Sequence, residues 1–156
     1  MAVSGSQLPC EDDRTVRVER LAVLLRGKES AMGTFKDLIG YKKAFALALE
    51  VRKLTRKFPR EELYTLTDQV HRSSRGICTN LAEGYRKRRY VAHFIAKITD
   101  SDAECAESIV HLDFALAFGF ITEDEHKTMV AGFEEVGRLL NDMINEPYKY
   151  DVAKGK

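Results

Sequence analysis

The chain has 156 residues, 44% hydrophobic and 31% charged, with a formal net charge of +1; that length suits one domain, and the composition is too apolar for a wholly disordered chain. No stretch approaches the ~18 uninterrupted apolar residues of a membrane span, and the Met1 end runs into Glu11, Asp12 and Asp13, which argues against spanning and secretion and leads us to expect a cytoplasmic protein. Cys10, Cys78 and Cys105 form no CxxC pair, so neither a disulfide framework nor a zinc knuckle is expected.

Residues 1–31 contain a Ser/Gly/Pro start, an acidic trio and then too few apolar positions for a core helix. We expect a weakly ordered extension, with Met32 opening a stretch that reads like a natural N-terminus. From Phe35 onward helical periodicity dominates. Tyr41, Ala44, Leu47, Val51, Leu54 and Phe58 form a first apolar stripe, stopped near Lys57 because Pro59 is poorly tolerated in a helix interior. Leu66, Val70, Ser73, Ile77 and Leu81 form a second, predicted to close at Gly84. The third runs through Phe94, Ile98, Ser101, Cys105, Ile109, Leu112 and Leu116 to Gly119, about 40 Å at the helical rise. The fourth opens with Thr122 and Glu125 in capping-box spacing, continues through Met129, Phe133, Val136, Leu140 and Met143, and ends before Pro147. Short connections force consecutive helices antiparallel. The fold class predicted is therefore all-α, an up-down-up-down four-helix bundle over residues 32–146 with no sheet, followed by a polar, mobile tail over 147–156.

The near-zero net charge hides a division. From Lys36 to Lys97 there are 15 Lys or Arg against 6 Asp or Glu; from Ile98 to Glu146 there are 2 against 12. Such asymmetry points to an anionic partner or a self-complementary assembly. On the first helix Arg52, Lys53, Arg56, Lys57 and Arg60 form a basic stripe, read either as a solvated face or as a nucleic-acid footprint that Arg72 and Arg75 extend. Arg86, Lys87, Arg88 and Arg89 lie between the second and third helices, near a helix N-terminus that already favours anions. A backbone phosphate there would relieve their mutual repulsion; the alternative is a solvated loop paired with acids of a neighbouring subunit. There is no aromatic interleaving of the kind that stacks unpaired bases, Tyr85 and Tyr90 being the only flanking candidates, so binding is expected to be backbone-directed and weakly sequence-specific.

Gln69, Arg72, Gly76, Asn80 and Glu83 recur at three- and four-residue intervals, a polar seam read as structural, orienting neighbouring helices or subunits, with a ligand-binding or catalytic face as the other reading. His71, His111 and His126 show neither HExxH spacing nor paired-carboxylate geometry, and no metal or cofactor is expected.

Phe58, Pro59, Glu62, Leu66, Gln69, Arg72, Ile77, Asn80, Ala82, Glu83 and Gly84 resemble the recurring pattern of the four-helix-bundle family named for proteins encoded in intervening sequences of 23S rRNA genes. The likeness covers about Phe35 to Met143. It departs at Gly76, where the family usually has Ser, and at Asp100, which precedes Ser101 where a Gly-Ser pair is common. The resemblance implies a homopentameric ring without established enzymatic activity. A related branch, the accessory variability determinants of diversity-generating retroelements, binds a reverse transcriptase and nucleic acid, and by architecture alone the resemblance extends those partners to this chain. The leading expectation is a non-enzymatic ring that engages RNA or DNA backbones. Its rival is a protein-interaction scaffold whose basic and acidic halves satisfy one another between subunits. A remote third reading rests on Arg88 and His93, whose spacing resembles the Arg-His motif of HEPN-type helical ribonucleases, although Arg89 stands where those enzymes carry a small polar residue.

Overall fold

The computed structural model describes residues 33–150, so the expectations for residues 1–31 and for 151–156 of the tail lie outside the described residues. Thr34 and Asp37 cap each other reciprocally around a 3-10 turn, Phe35–Asp37, which leads into α1, Ile39–Leu54. The last basic residues of that stripe continue as a 3-10 turn, Thr55–Lys57, before Pro59. After a second such turn, Arg60–Glu62, come α2, Leu66–Lys87, α3, Val91–Ala117, and α4, Glu123–Asn145. Among the described residues there is no strand.

Each helix packs against its neighbours in the chain, and α4 closes on α1; α1 and α3 are diagonal, as are α2 and α4. The four apolar stripes meet along the axis, where Val51, Val70, Ile77, Leu81, Phe94, Ile98, Leu112, Phe133, Val136 and Leu140 are all but sealed from solvent. Burial of each such side chain favours folding by about 1.5–3 kcal/mol. Thr122 opens α4 as its spacing predicts: its hydroxyl accepts from the Glu125 backbone N–H at 3.2 Å, and the Glu125 carboxylate accepts from the Thr122 N–H at 2.8 Å.

The predicted end of α2 is corrected. Gly84 is a buried interior residue of a helix that runs on to Lys87. A Cβ there would lie 3.0 Å from Ile98 Cδ1 and 3.2 Å from Lys97 Cβ, so this glycine serves the close approach of α2 to α3 and not a left-handed turn. The left-handed glycine is Gly119, at φ 75°. It ends α3 in a Schellman arrangement, with the Phe120 N–H on the Ala115 carbonyl and the Gly119 N–H on that of Leu116, both at 2.9 Å. The tail also differs from expectation in its first four residues. Pro147–Tyr150 form a 3-10 turn with Pro147 buried, and the Tyr150 ring stacks on Phe94 at 5.6 Å, covering core that the bundle end would otherwise leave open.

Candidate nucleic-acid interface

Because neighbours in the chain are neighbours in space, the sequence's charge blocks become opposite sides of the bundle: α1 and α2 form a basic side, α3 and α4 an acidic one. Three lysines stitch the seams between them. Lys43 meets Glu135 at 3.0 Å, Lys57 meets Glu125, and Lys97 bridges Glu83 at 3.1 Å and Asp100 at 3.2 Å. The Glu125 carboxylate is held below its ordinary range, first by Lys57 and then by the Thr122 N–H, and Lys97 is raised by its two acids.

The stripe predicted on α1 is divided by these seams. Lys57 turns to α4, and Lys53 pairs with Glu50 at 2.7 Å; both border the cleft between α1 and α4. Arg52 faces α2 instead. It lines a mostly apolar groove of about 280 Å³ between α1 and α2, together with Tyr41, Phe45, Leu49 and Arg75. In the same groove His71 exchanges a 2.7 Å hydrogen bond with Thr55. Burial lowers the His71 pKa, Arg75 and Arg52 lower it further, and Asp68 opposes them. Arg56 and Arg60 are exposed at the α1–α2 end.

On α2 the 100° spacing sets Arg72, Arg75 and Arg86 on the outward ridge, opposite the buried Val70, Ile77 and Leu81. The Arg75 Nε donates to the His71 carbonyl at 2.7 Å. Arg86 stands 14 residues beyond Arg72, about 21 Å along the helix, so the expected surface consists of two basic ends joined by a ridge.

At the α2–α3 turn the four consecutive cations behave differently. Arg88 is half-buried: its guanidinium lies 3.9 Å from the Tyr85 ring centroid, and its Nη1 donates to the Tyr85 carbonyl at 2.6 Å. Arg86, Lys87 and Arg89 are exposed and make no ion pair with a described residue. Tyr90, where α3 begins, is 64% exposed and meets His93 edge to face at 6.0 Å. Its side chain does not cap the α3 N–H groups. Arg88 and His93, the pair behind the ribonuclease reading, thus have different ring partners.

The polar seam borders the cleft between α2 and α3, with Glu104 and Glu107 across from it. Asn80 accepts from Lys97 at 3.4 Å, and Glu83 joins the same lysine. Gly76 makes room for an acid: a Cβ there would lie 2.7 Å from Glu104 Cδ. Burial raises the Glu104 pKa, Glu107 adds to the rise, and Arg72 opposes it. Gln69, Arg72 and Glu83 are exposed, whereas the sealed polar contacts lie one position inward. The Ser101 hydroxyl donates to the Ile77 carbonyl at 2.7 Å; that of Ser108 meets Ser73 Oγ at 2.8 Å and the Glu104 carbonyl at 2.9 Å. Among the described residues no three His, Cys, Asp or Glu are grouped to hold a metal ion, and no helix is long and apolar enough to cross a membrane.

Two exposed features escaped the sequence reading. Val110, Phe114 and Phe118, at 49%, 51% and 55% exposure, form an apolar ridge on the outer face of α3; their i, i+4, i+8 spacing was the available signal. Tyr64 is 87% exposed beside Glu61 and Glu62 in the α1–α2 connection.

Comparison with known proteins agrees with this architecture. The family model described as 23S rRNA-intervening sequence protein matches residues 36–142. A solved structure of a protein with unknown function from the S23 ribosomal protein family of Bacteroides thetaiotaomicron is similar to the chain, with a TM-score of 0.63 and 21% identity over 69% of this chain and 96% of the other. No curated protein matches the chain.

Proposed function

The chain belongs to the 23S rRNA-intervening sequence protein family, and from that premise we propose that it is a non-enzymatic, cytoplasmic, ring-forming helical bundle that associates with RNA or DNA through the basic α1–α2 side. The observation that carries the reading is the set of exposed cations, Arg56, Arg60, Arg72, Arg86, Lys87 and Arg89, none in an ion pair with a described residue. Such cations raise the local concentration of polyanions and displace their counterions on binding. Anisotropy of labelled RNA and DNA, titrated with the protein across a salt series, tests it. Binding that weakens steeply with salt is the expected result; no binding even at low salt sinks the reading.

A second reading, assembly alone, is favoured by the α3 ridge. Val110, Phe114 and Phe118 are flanked by Glu107 and Asp113, while the α1–α2 groove is apolar within and rimmed by Arg52 and Arg75. Acid-flanked ridge and base-rimmed groove are complementary, and a second copy is the occupant argued for. Joining two different patches is a head-to-tail contact, which closes into a ring when its rotation does, five-membered on the family expectation. Light-scattering mass checks it: a multimer that Phe114→Glu reduces to monomer supports this interface, and a wild-type monomer at low and physiological salt removes the ring from both readings.

A further inference from the structure

Resting on the nucleic-acid reading, we propose that the α2–α3 turn is a stacking site for an unpaired base, so that the favoured partner is single-stranded RNA or DNA and not a duplex. The charge pattern alone implied contact with backbones only; the geometry of Tyr90 adds a place for a base.

Tyr90 keeps 64% of its surface exposed while its backbone is fixed, its N–H on the Lys87 carbonyl at 2.9 Å and its own carbonyl accepting from the Phe94 N–H at 3.0 Å. The main chain that carries the ring is therefore fixed at the start of α3. His93 meets it edge to face, and a ring so exposed in such a pair retains a face for another π-system. The surroundings suit a polyanion. From Gly84 to Thr99 the sequence has five Lys or Arg and no acid, and Arg86, Lys87 and Arg89 are exposed around the turn. Arg88, laid over Tyr85, firms the turn from within. An exposed aromatic set among unpaired cations is the arrangement that binds unpaired strands, the cations following the phosphates and the ring taking a base. A duplex offers the same phosphates, but its bases are already stacked on one another. Tyr64 is more exposed still, yet Glu61 and Glu62 stand beside it, which repels the phosphates a stacked base brings with it.

The test compares the intact protein with its Tyr90→Ala and Tyr90→Phe variants, each titrated into a labelled single-stranded oligonucleotide of about 15 nucleotides and into the matching duplex. We expect the single strand to be preferred, Tyr90→Ala to lower the single-strand-to-duplex affinity ratio about tenfold, and Tyr90→Phe to keep it. Equal loss on both ligands, or no change in Tyr90→Ala, overturns the stacking site while leaving the nucleic-acid reading intact. Failure of the wild-type protein to bind either ligand at low salt overturns that reading, and the stacking site with it.

Discussion

Replacing Arg86, Lys87 and Arg89 together by Ser removes three exposed cations from the α2–α3 turn and leaves the buried faces of α2 and α3 untouched. Each phosphate neutralised on a single strand contributes about 0.7 to the slope of log affinity against log salt. If all three side chains meet phosphates, the slope becomes shallower by about 2. Between about 50 and 200 mM salt, the wild-type protein should then lose roughly 20-fold more affinity than the variant. The matched control is Lys53→Ser with Lys57→Ser. These lysines are already engaged by Glu50 and Glu125, and the expected change in slope is well under 1. Anisotropy at five or six salt concentrations gives both slopes, and circular dichroism checks that each variant melts as the parent does. A slope change per residue that is the same in the two variants would refute the reasoning, because overall charge and not the free turn would then govern binding.

Three further outcomes concern the scaffold. Ser101→Ala removes a sealed hydroxyl that bonds the Ile77 carbonyl at 2.7 Å, and should cost about 1 kcal/mol in urea unfolding. Gly84→Val sets side-chain atoms against Ile98 and Lys97 where even a Cβ is tight. It should destabilise by about 1–3 kcal/mol, whereas Gly84→Ala recovers roughly 1 kcal/mol of helix propensity against a smaller clash. His71 has its pKa lowered in the folded chain by burial and then by Arg75 and Arg52. The unfolded chain therefore takes up a proton that the folded chain refuses, and stability should fall as pH drops through about 6.5. His71→Gln should flatten that fall in denaturant titrations between about pH 7.5 and 5.5; an unchanged profile would assign it to other groups.

Elements whose ends are set by local chemistry were legible in the sequence. Pro59, the Thr122–Glu125 box and Gly119 each act within a turn or two of themselves, and each falls where its residue type predicts. Gly84 misled because one residue type serves two purposes: a left-handed turn is a local need, a close helix crossing a tertiary one, and only the partner at Ile98 tells them apart. The same limit governs the candidate surface. Fifteen bases in one block declare a basic side, but which of them are engaged depends on partners both near and far in the chain. Lys57 is met by Glu125, while Arg88 is occupied by its near neighbour Tyr85. The outer ridge of α3 went unread because attention to the inward stripe leaves Val110, Phe114 and Phe118 looking like ordinary helix filler. Their meaning comes from exposure, which periodicity does not report.

The two proposed uses of the basic side draw on different parts of it. A neighbouring copy seated in the α1–α2 groove would engage Arg75 near the middle of α2 and Arg52 in the last turn of α1. The α2–α3 turn lies beyond Arg75 by 11 residues of helix or more, at least about 16 Å along the axis. In the proposed ring, cyclic symmetry would give every copy's turn the same position relative to the ring axis, and so a repeated set of identical sites on one rim. A strand long enough to reach from one turn to the next gains from each added contact through effective concentration, with no new chemistry at any single site. On the proposed reading, modest contacts of three cations and one ring per copy would in that way suffice, and assembly would be the means by which a weak site is made useful.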